Sequence, residues 1–150
     1  MKVLKNRLEL LKDFADGCSS LSDYVGSTLG PKGTTVLLKT KDGRPVITKD
    51  GVTVARFFNL PDPNQNAGVE IVKQASEKTN TEAGDGTTTT TILANSILQE
   101  TFKHIVANVP AIDIKRGMDK AVEDVSNYWL DNASKIESFE QLKSVATISA

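Results

Sequence analysis

The residues best suited to chemistry are residues 83–91, which read Ala-Gly-Asp-Gly followed by five threonines and lead into an apolar helical pattern. Glycine on either side of Asp85 allows positive φ angles and lets a ligand approach the backbone closely. A helix that begins just after Gly86 directs unpaired N–H groups and the positive end of its dipole toward this turn, which attracts phosphate. Asp85 itself would repel phosphate, so its position predicts a bridging Mg²⁺ that takes oxygen ligands from both groups.

The same segment has a simpler interpretation. Gly-Asp-Gly is also the composition of an ordinary turn, and the threonine run is typical of an N-cap with a polar first helical turn. The segment is not a P-loop, because no Gly-Lys-Ser/Thr follows at the required spacing. If phosphate binds here, the threonine hydroxyls can donate hydrogen bonds to it without adding charge. Both interpretations stay open on this segment alone.

Two other segments place glycine beside residues that could contact an anion. Residues 28–33, Thr-Leu-Gly-Pro-Lys-Gly, follow an apolar helical stripe, and a glycine followed by proline is also a common way to end a helix. Lys49, Asp50 and Gly51 follow a predicted strand, at whose end side chains are held rigidly. Lys49 could face a phosphate and Asp50 could orient a water molecule, or the pair could form a solvated turn.

The composition limits the classes of function. A chain of 150 residues is about one domain, and 18 basic residues against 19 acidic ones, net charge −1, argue against nucleic-acid binding through a basic surface. Cys18 is the single cysteine, so an intrachain disulfide is excluded and a reducing compartment is expected. No apolar run approaches the length of a membrane span, and the first residues lack a secretory signal, so we expect a cytoplasmic protein.

Hydrophobic periodicity predicts a mainly α fold, and an Asp-Gly turn at residues 42 and 43 between two short β-type runs predicts one β-hairpin over about residues 34–48. Helices are predicted over residues 8–28, from Val52 onward for a short stretch, and over 69–80, 87–107, a span opened by Pro110, and 139–142. Residues 60–66 are predicted to be a loop because they contain two prolines and three amides. Residues 146–150 have no predicted element.

Four faces of these helices are predicted from the same patterns. In the first helix, Cys18 falls on an apolar stripe, which makes it a small core residue rather than a nucleophile. In the helix over 87–107 one buried face is assigned to Leu93, Ile97, Phe102 and Ile105. The single histidine, His104, has no cysteine or second histidine nearby and is not expected to bind metal. The other two faces are Val69, Val72 and Ser76 in one helix, and Ile114, Met118, Ala121, Val125 and Tyr128 in another.

Five motifs of this sequence, at residues 28–33, 47–56, 83–89, 113–122 and 147–150, occur together in one protein family. In order and spacing they closely resemble the group I chaperonins, in which a lysine precedes the Asp-Gly corresponding to Asp50 and Gly51. The resemblance implies a helical bundle like the chaperonin equatorial domain, with a small β-hairpin. Thr90 departs from the family, which usually has alanine there.

The resemblance also implies a role for each loop. Thr28 and the backbone of Lys49 would lie near phosphate and a monovalent cation, for which K⁺ is the candidate. Asp85 matches the ligand of Mg²⁺, and Asp50 matches a carboxylate near the γ-phosphate of ATP that helps to orient the attacking water, which makes it the predicted catalytic residue. The implied nucleotide-binding residues are Thr28, Leu29, Gly30, Pro31, Lys49, Asp85, Gly86, Thr87, Thr88 and Thr89.

The implied function is that of an ATP-hydrolysing chaperonin subunit, which assists protein folding as part of a homo-oligomeric ring. Its partners would be unfolded proteins and a co-chaperonin, with neither nucleic acid nor membrane among them. Residues 1–131 would be the N-terminal half of the equatorial ATP-binding domain and 132–150 the start of the intermediate domain; the apical domain and the C-terminal equatorial half are absent from this sequence. The alternative is a fragment or shortened relative that acts as a structural or oligomer-interaction module without ATP turnover.

Overall fold

The structure, a computed structural model, describes residues 5–39 and 43–149. These residues form six helices and a two-stranded sheet, which confirms the prediction of a mainly α fold with one small hairpin. No helix in the described ranges is long and apolar enough to cross a membrane. The elements are α1 (Arg7–Gly26), β1 (Val36–Lys39), β2 (Pro45–Thr48), α2 (Gly51–Phe57), α3 (Pro63–Ala83), α4 (Thr87–Val106), α5 (Ala111–Asn132) and α6 (Phe139–Ser149).

The chain divides into two compact units, Met1–Val106 and Ala107–Ala150. In the first unit α1 packs against α3 and α4, and the short helix α2 lies against all three. The core of this unit is mostly aliphatic, as expected for a sequence in which 5% of the residues are aromatic, and Phe14, Leu60 and Leu98 pack around its edge. Its fully or almost fully buried members are Cys18, Leu21, Val25, Val54, Ala55, Val69 and Val72.

The prediction that Cys18 is a core residue is confirmed. Its side chain is fully buried where α1 crosses α3, and its thiol contacts the Gly68 carbonyl oxygen at 3.4 Å. The two helices approach closely because Gly68 has no side chain: a Cβ there would lie 2.1 Å from the Phe14 carbonyl oxygen. Burial raises the pKa of the Cys18 thiol to about 11, because the apolar surroundings disfavour the thiolate.

We expect Cys18 in the folded protein to react very slowly with a disulfide reagent at pH 8, because the thiolate is the reactive form and is both disfavoured and covered. Unfolding in denaturant should make the reaction fast and stoichiometric. The raised pKa also predicts that the free energy of unfolding falls as the pH rises from 9.0 toward about 11, since the unfolded thiol ionises first. Rapid reaction of the native protein would contradict the burial of Cys18.

The buried face of α4 differs from the predicted one. Leu93 and Ile97 are 53% and 44% exposed, whereas Thr91 is fully buried. Successive helical residues are rotated by about 100°, so Leu93 and Phe102 lie roughly 180° apart and cannot share a face. The inward face instead combines Thr91 with Phe102 and Ile105, which are half-buried. Thr91 is tolerated in the core because its hydroxyl donates to the Thr87 carbonyl oxygen at 2.8 Å.

The prediction of a loop over residues 60–66 is wrong in its second half, because α3 begins at Pro63. Asp62 is the N-cap, and its carboxylate accepts hydrogen bonds from the amides of Asn64 and Gln65 at 2.8 and 3.1 Å. These bonds hold the pKa of Asp62 below its ordinary value. Proline suits the first helical position, because an N–H at that position would have no acceptor within the helix. Val69, Val72 and Ser76 of this helix are buried, as predicted.

The hairpin pairs β1 and β2 antiparallel, with Val36 opposite Thr48 and Lys39 opposite Pro45. Gly43 has φ of 75° in the connection, as a turn glycine should, while its predicted partner in the turn, Asp42, lies outside the described residues.

The second unit contains α5 and α6. Pro110 precedes α5 as its N-cap, in agreement with the prediction that it opens a helix. The predicted apolar stripe of α5 is present, but none of the residues of this helix is buried. α6 extends to Ser149, well beyond the predicted residues 139–142, and takes in most of the segment left unassigned from sequence. The boundary between domains near residue 131 stays a prediction.

Candidate functional site

The ends of three helices meet in the first unit, and they carry residues from all three glycine-containing motifs. A Cβ placed on Gly51, the first residue of α2, would lie 2.2 Å from the hydroxyl oxygen of Thr88 in the first turn of α4. The same atom would lie 3.2 Å from Val25 Cγ1 near the end of α1. Thr28, just beyond α1, hydrogen-bonds through its hydroxyl to the Val25 carbonyl oxygen at 2.7 Å. The fold therefore gathers segments 25–28, 50–51 and 87–88 into one region.

Asp85 lies in the turn that joins α3 to α4. Gly84 ends α3 in the left-handed conformation, with φ of 74°, and Gly86 has φ of 81°. Both glycines are thus used for backbone conformations that other residues adopt reluctantly. The Asp85 carboxylate is exposed and accepts a hydrogen bond from the Gly86 amide at 2.6 Å. This bond orients the carboxylate at the start of α4.

The five threonines of α4 point in different directions, because each is rotated by about 100° from the last. Thr87 and Thr91 face the core, and Thr88 lies against Gly51. Thr89 is exposed, whereas the Thr90 hydroxyl lies 3.0 Å from that of Thr79 in α3. The carbonyl of Gly86 accepts the first helical bond, from the Thr90 amide at 2.9 Å, so the amides of residues 87–89 form the helix N-terminus. That terminus is suited to phosphate.

Asp50 is the N-cap of α2. Its carboxylate accepts hydrogen bonds from the Val52 amide at 3.3 Å and from the Thr53 amide and hydroxyl at 3.1 and 2.5 Å. A carboxylate offers about four lone-pair positions, so these three bonds leave it able to accept one from a water molecule. The cap also fixes the direction of the side chain. Lys49, its exposed neighbour, continues from the end of β2.

The loop after α1 uses several of its own hydrogen-bonding groups. The amides of Thr28 and Leu29 donate to the carbonyl oxygens of Val25 and Gly26 at 3.1 and 3.0 Å. Because the Thr28 hydroxyl also donates within the chain, its remaining capacity is to accept, which suits a cation better than a phosphate oxygen. Gly30 has φ of 75°, and its carbonyl accepts from Gly33 at 2.9 Å, which closes the turn around Pro31.

The residues of this region could hold Mg²⁺ only if other molecules supplied further ligands to the ion. The described ranges contain no group of three or more histidine, cysteine, aspartate or glutamate residues that could enclose a metal ion. Mg²⁺ is usually held by one or two carboxylates together with water and substrate phosphates. A single exposed carboxylate, Asp85, beside a helix N-terminus that suits phosphate is compatible with that mode of binding. His104 is exposed on α4.

The fold brings parts of the predicted motifs together through two contacts that the sequence does not reveal. The sequence predicts no separate role for Gly51, and its role in the structure is to let α2 contact Thr88. Thr79 was not singled out at all, although it contacts Thr90. Gly51 is the first residue of α2, a position where the backbone conformation does not require glycine. A glycine there is a signal that another group approaches closely.

A model of the TCP-1/cpn60 chaperonin family matches residues 21–150, which is most of the sequence. The chain belongs to this family. A solved structure described as a group III chaperonin in the open state is similar to it, with 30% sequence identity and a TM-score of 0.73. That similarity confirms a fold like the chaperonin equatorial domain. The assignment to group I in particular stays a prediction.

The match covers 87% of this chain and 26% of the group III chaperonin, so this chain spans about a quarter of that protein's length. Chaperonins are generally ATPases that bind ATP with Mg²⁺, form oligomeric rings and bind unfolded proteins. For this chain, the residues of the site and its activity are matters for proposal.

Proposed function

We propose that this chain supplies the phosphate-binding and Mg²⁺-binding part of the ATP site of a cytoplasmic chaperonin subunit, which hydrolyses ATP and assists protein folding within a homo-oligomeric ring. The observation that supports it most is the contact between Gly51 and Thr88. That contact brings the first turn of α2, which Asp50 caps, beside the N-terminus of α4, and a phosphate chain would need a helix dipole and a water-orienting group together.

Each residue then has a task that its surroundings allow. The amides of Thr87, Thr88 and Thr89 would bind phosphate oxygens, and Gly86, whose own amide donates to Asp85, would let the phosphates approach the turn closely. Asp85 would hold Mg²⁺ together with the phosphates, and the ion would supply positive charge that offsets theirs. Thr28 would offer its hydroxyl oxygen to a monovalent cation such as K⁺, and the loop containing Leu29, Gly30 and Pro31 would lie along the nucleotide.

Asp50 would act on the attacking water. Its carboxylate is fixed by the bonds it accepts from Val52 and Thr53, so it presents its remaining lone pair in one direction. Phosphoryl transfer depends mainly on positioning and on electrostatic stabilisation, so a rigid acceptor is more useful here than a mobile one. Lys49 would contribute its backbone near the phosphates.

Calorimetric titration of the purified protein tests this proposal. We expect ATP to bind in the presence of Mg²⁺ and to bind much more weakly after chelation. Because the proposed contacts are to the phosphates, tripolyphosphate with Mg²⁺ should compete with ATP, whereas adenosine should not. Binding of adenosine as tight as that of ATP, or no binding of either phosphate compound, would contradict the proposal.

A second candidate function is an interaction module without ATP turnover, and the exposed apolar stripe of α5 favours it. Phosphate release distinguishes the two candidates. Steady release that requires both ATP and Mg²⁺ supports the ATPase, while nucleotide-independent self-association without phosphate release supports the module.

A further inference from the structure

The two helices that flank Asp85 are joined by a hydrogen bond between threonines. Thr79 in α3 and Thr90 in α4 lie eleven residues apart in sequence, and their hydroxyl oxygens are 3.0 Å apart. Both side chains are half-buried. The bond therefore closes a helical hairpin whose tip, residues 80–89, contains Asp85 and the first turn of α4.

The donors and acceptors of this bond can be assigned by counting hydrogens. The Thr79 hydroxyl also lies 3.1 Å from the Ala75 carbonyl oxygen, and a hydroxyl has only one hydrogen to donate. Both contacts are satisfied when Thr90 donates to Thr79 and Thr79 donates to Ala75. Thr79 is then the central member of a chain of hydrogen bonds that runs from α4 into the backbone of α3.

The tip of this hairpin contains two glycines between the last backbone bond of α3, from Gly84 to Asn80, and the first of α4, from Thr90 to Gly86. Gly84 and Gly86 both adopt positive φ, and glycine has the greatest conformational freedom of any residue. The position of Asp85 relative to the α4 N-terminus thus depends in part on how firmly the two helices are held just outside the turn. The bond between Thr79 and Thr90 lies where it can provide that restraint.

We propose that Thr79, paired with Thr90, is a positioning residue for the phosphate and Mg²⁺ site: it holds the turn that carries Asp85 against the first turn of α4. The expected effect on binding of ATP with Mg²⁺ rests on the proposed function, whereas the restraint on the turn is independent of any ligand. Thr79 touches neither nucleotide nor metal and acts through Asp85 and the amides of α4.

The test compares the wild-type protein with Thr79→Val, Thr90→Val, the double variant and Thr79→Ser. Valine keeps the shape of threonine and removes its hydroxyl. Each single valine variant should bind ATP with Mg²⁺ about three- to tenfold more weakly, the range expected for one hydrogen bond. The double variant should be no weaker than either single one, because all three lose the same bond. Thr79→Ser keeps the hydroxyl and should restore the affinity.

The chain offers a matched control in Thr81→Val. Thr81 lies in the same turn of α3 and its hydroxyl donates to the Glu77 carbonyl oxygen at 2.9 Å, the same local bond that Thr79 makes to Ala75. Its loss should leave the affinity for ATP unchanged. If Thr81→Val and Thr79→Val weaken binding equally, or if the two valine variants have additive effects, the inference is wrong.

Amide hydrogen exchange supplies a readout that does not need nucleotide. Exchange at the amides of Gly84 and Thr90, which donate to the carbonyl oxygens of Asn80 and Gly86, should be faster in Thr79→Val than in wild type, and unchanged in Thr81→Val. Unchanged exchange in Thr79→Val would overturn the inference. If the wild-type protein itself fails to bind ATP, the proposed function is wrong, and so is the role of Thr79 in nucleotide binding. The exchange measurement tests the restraint on the turn separately, because it needs no nucleotide: the turn of the wild-type protein would still be protected.

Discussion

Asp85→Ala is expected to lower the rate of ATP-dependent phosphate release by at least about 100-fold, the order of effect seen when one preorganised electrostatic group is removed from a site. Mg²⁺ would lose its only protein carboxylate at the turn, and the phosphates would lose part of the charge that offsets theirs. The measurement is steady-state phosphate release at saturating ATP, with binding followed by calorimetry at several Mg²⁺ concentrations.

Two companion variants separate the charge of Asp85 from its part in the turn. Asp85→Asn keeps an oxygen that can accept from the Gly86 amide, so the turn should persist while activity is lost as in Asp85→Ala. Glu82→Gln removes an exposed negative charge nearby in α3 and should leave turnover unchanged. Undiminished nucleotide affinity and turnover in Asp85→Ala would refute the assignment of the metal ligand.

Gly51→Ala is expected both to destabilise the protein and to impair nucleotide binding. Its Cβ would lie 2.2 Å from Thr88 Oγ1, 3.2 Å from Val25 Cγ1 and 3.3 Å from Thr88 Cα, so rotating the Thr88 side chain relieves only the first of these contacts. Adding a methyl group to such a packed site costs about 1–3 kcal/mol. Because α2 and α4 must separate, we expect the affinity for ATP with Mg²⁺ to fall at least about tenfold, by comparison with the effect of small misplacements on positioned sites.

Thermal unfolding and calorimetry measure the two effects of Gly51→Ala separately. Gly117→Ala is the matched control, since a Cβ at that helical position in α5 meets nothing within 4 Å. It should stabilise the protein slightly, by up to about 1 kcal/mol, because alanine favours a helix more than glycine does. In the double variant Gly51→Ala/Thr88→Ala, the closest contact is removed and part of the stability should return. Wild-type stability and affinity in Gly51→Ala would contradict the contact between α2 and α4.

The sequence predicted the elements whose signals are local. The apolar stripe through Cys18 predicted α1 at nearly its observed length, and an Asp-Gly turn between two short β-type runs located the hairpin. A helical stripe and a turn dipeptide are both signals within a short segment, so they need no knowledge of the rest of the fold. The start of α3 was missed although its signal is local too: Asp62 before Pro63 is an N-cap followed by the residue favoured at the first helical position.

The face of α4 could not be chosen from periodicity alone. Apolar residues occur on both sides of this helix, with Leu93 and Ile97 on one and Leu98, Phe102 and Ile105 on the other. Which side is buried depends on α1 and α3, which pack against it. The burial of Thr91 was equally hidden, because a threonine enters the core only when its hydroxyl finds an acceptor, here the Thr87 carbonyl.

For the candidate site, the sequence motifs predicted which segments take part, and only the structure shows the contacts between them. Spacing along the chain cannot reveal that Gly51 touches Thr88, since this depends on how α2 and α4 pack around Val25. Nor could it reveal that the Asp50 carboxylate accepts three hydrogen bonds from its own helix, which leaves it about one lone pair for a water molecule. The roles of the individual residues toward ATP stay predictions.

The exposed stripe of α5 gives the protein a built-in optical signal. The single tryptophan of the sequence, Trp129, lies near the end of this helix with 66% of its surface exposed. Indole fluorescence shifts to shorter wavelength when the ring leaves water for an apolar environment. Coverage of the α5 stripe by another protein surface should therefore be visible as a blue shift of native emission, without attaching a dye to the protein.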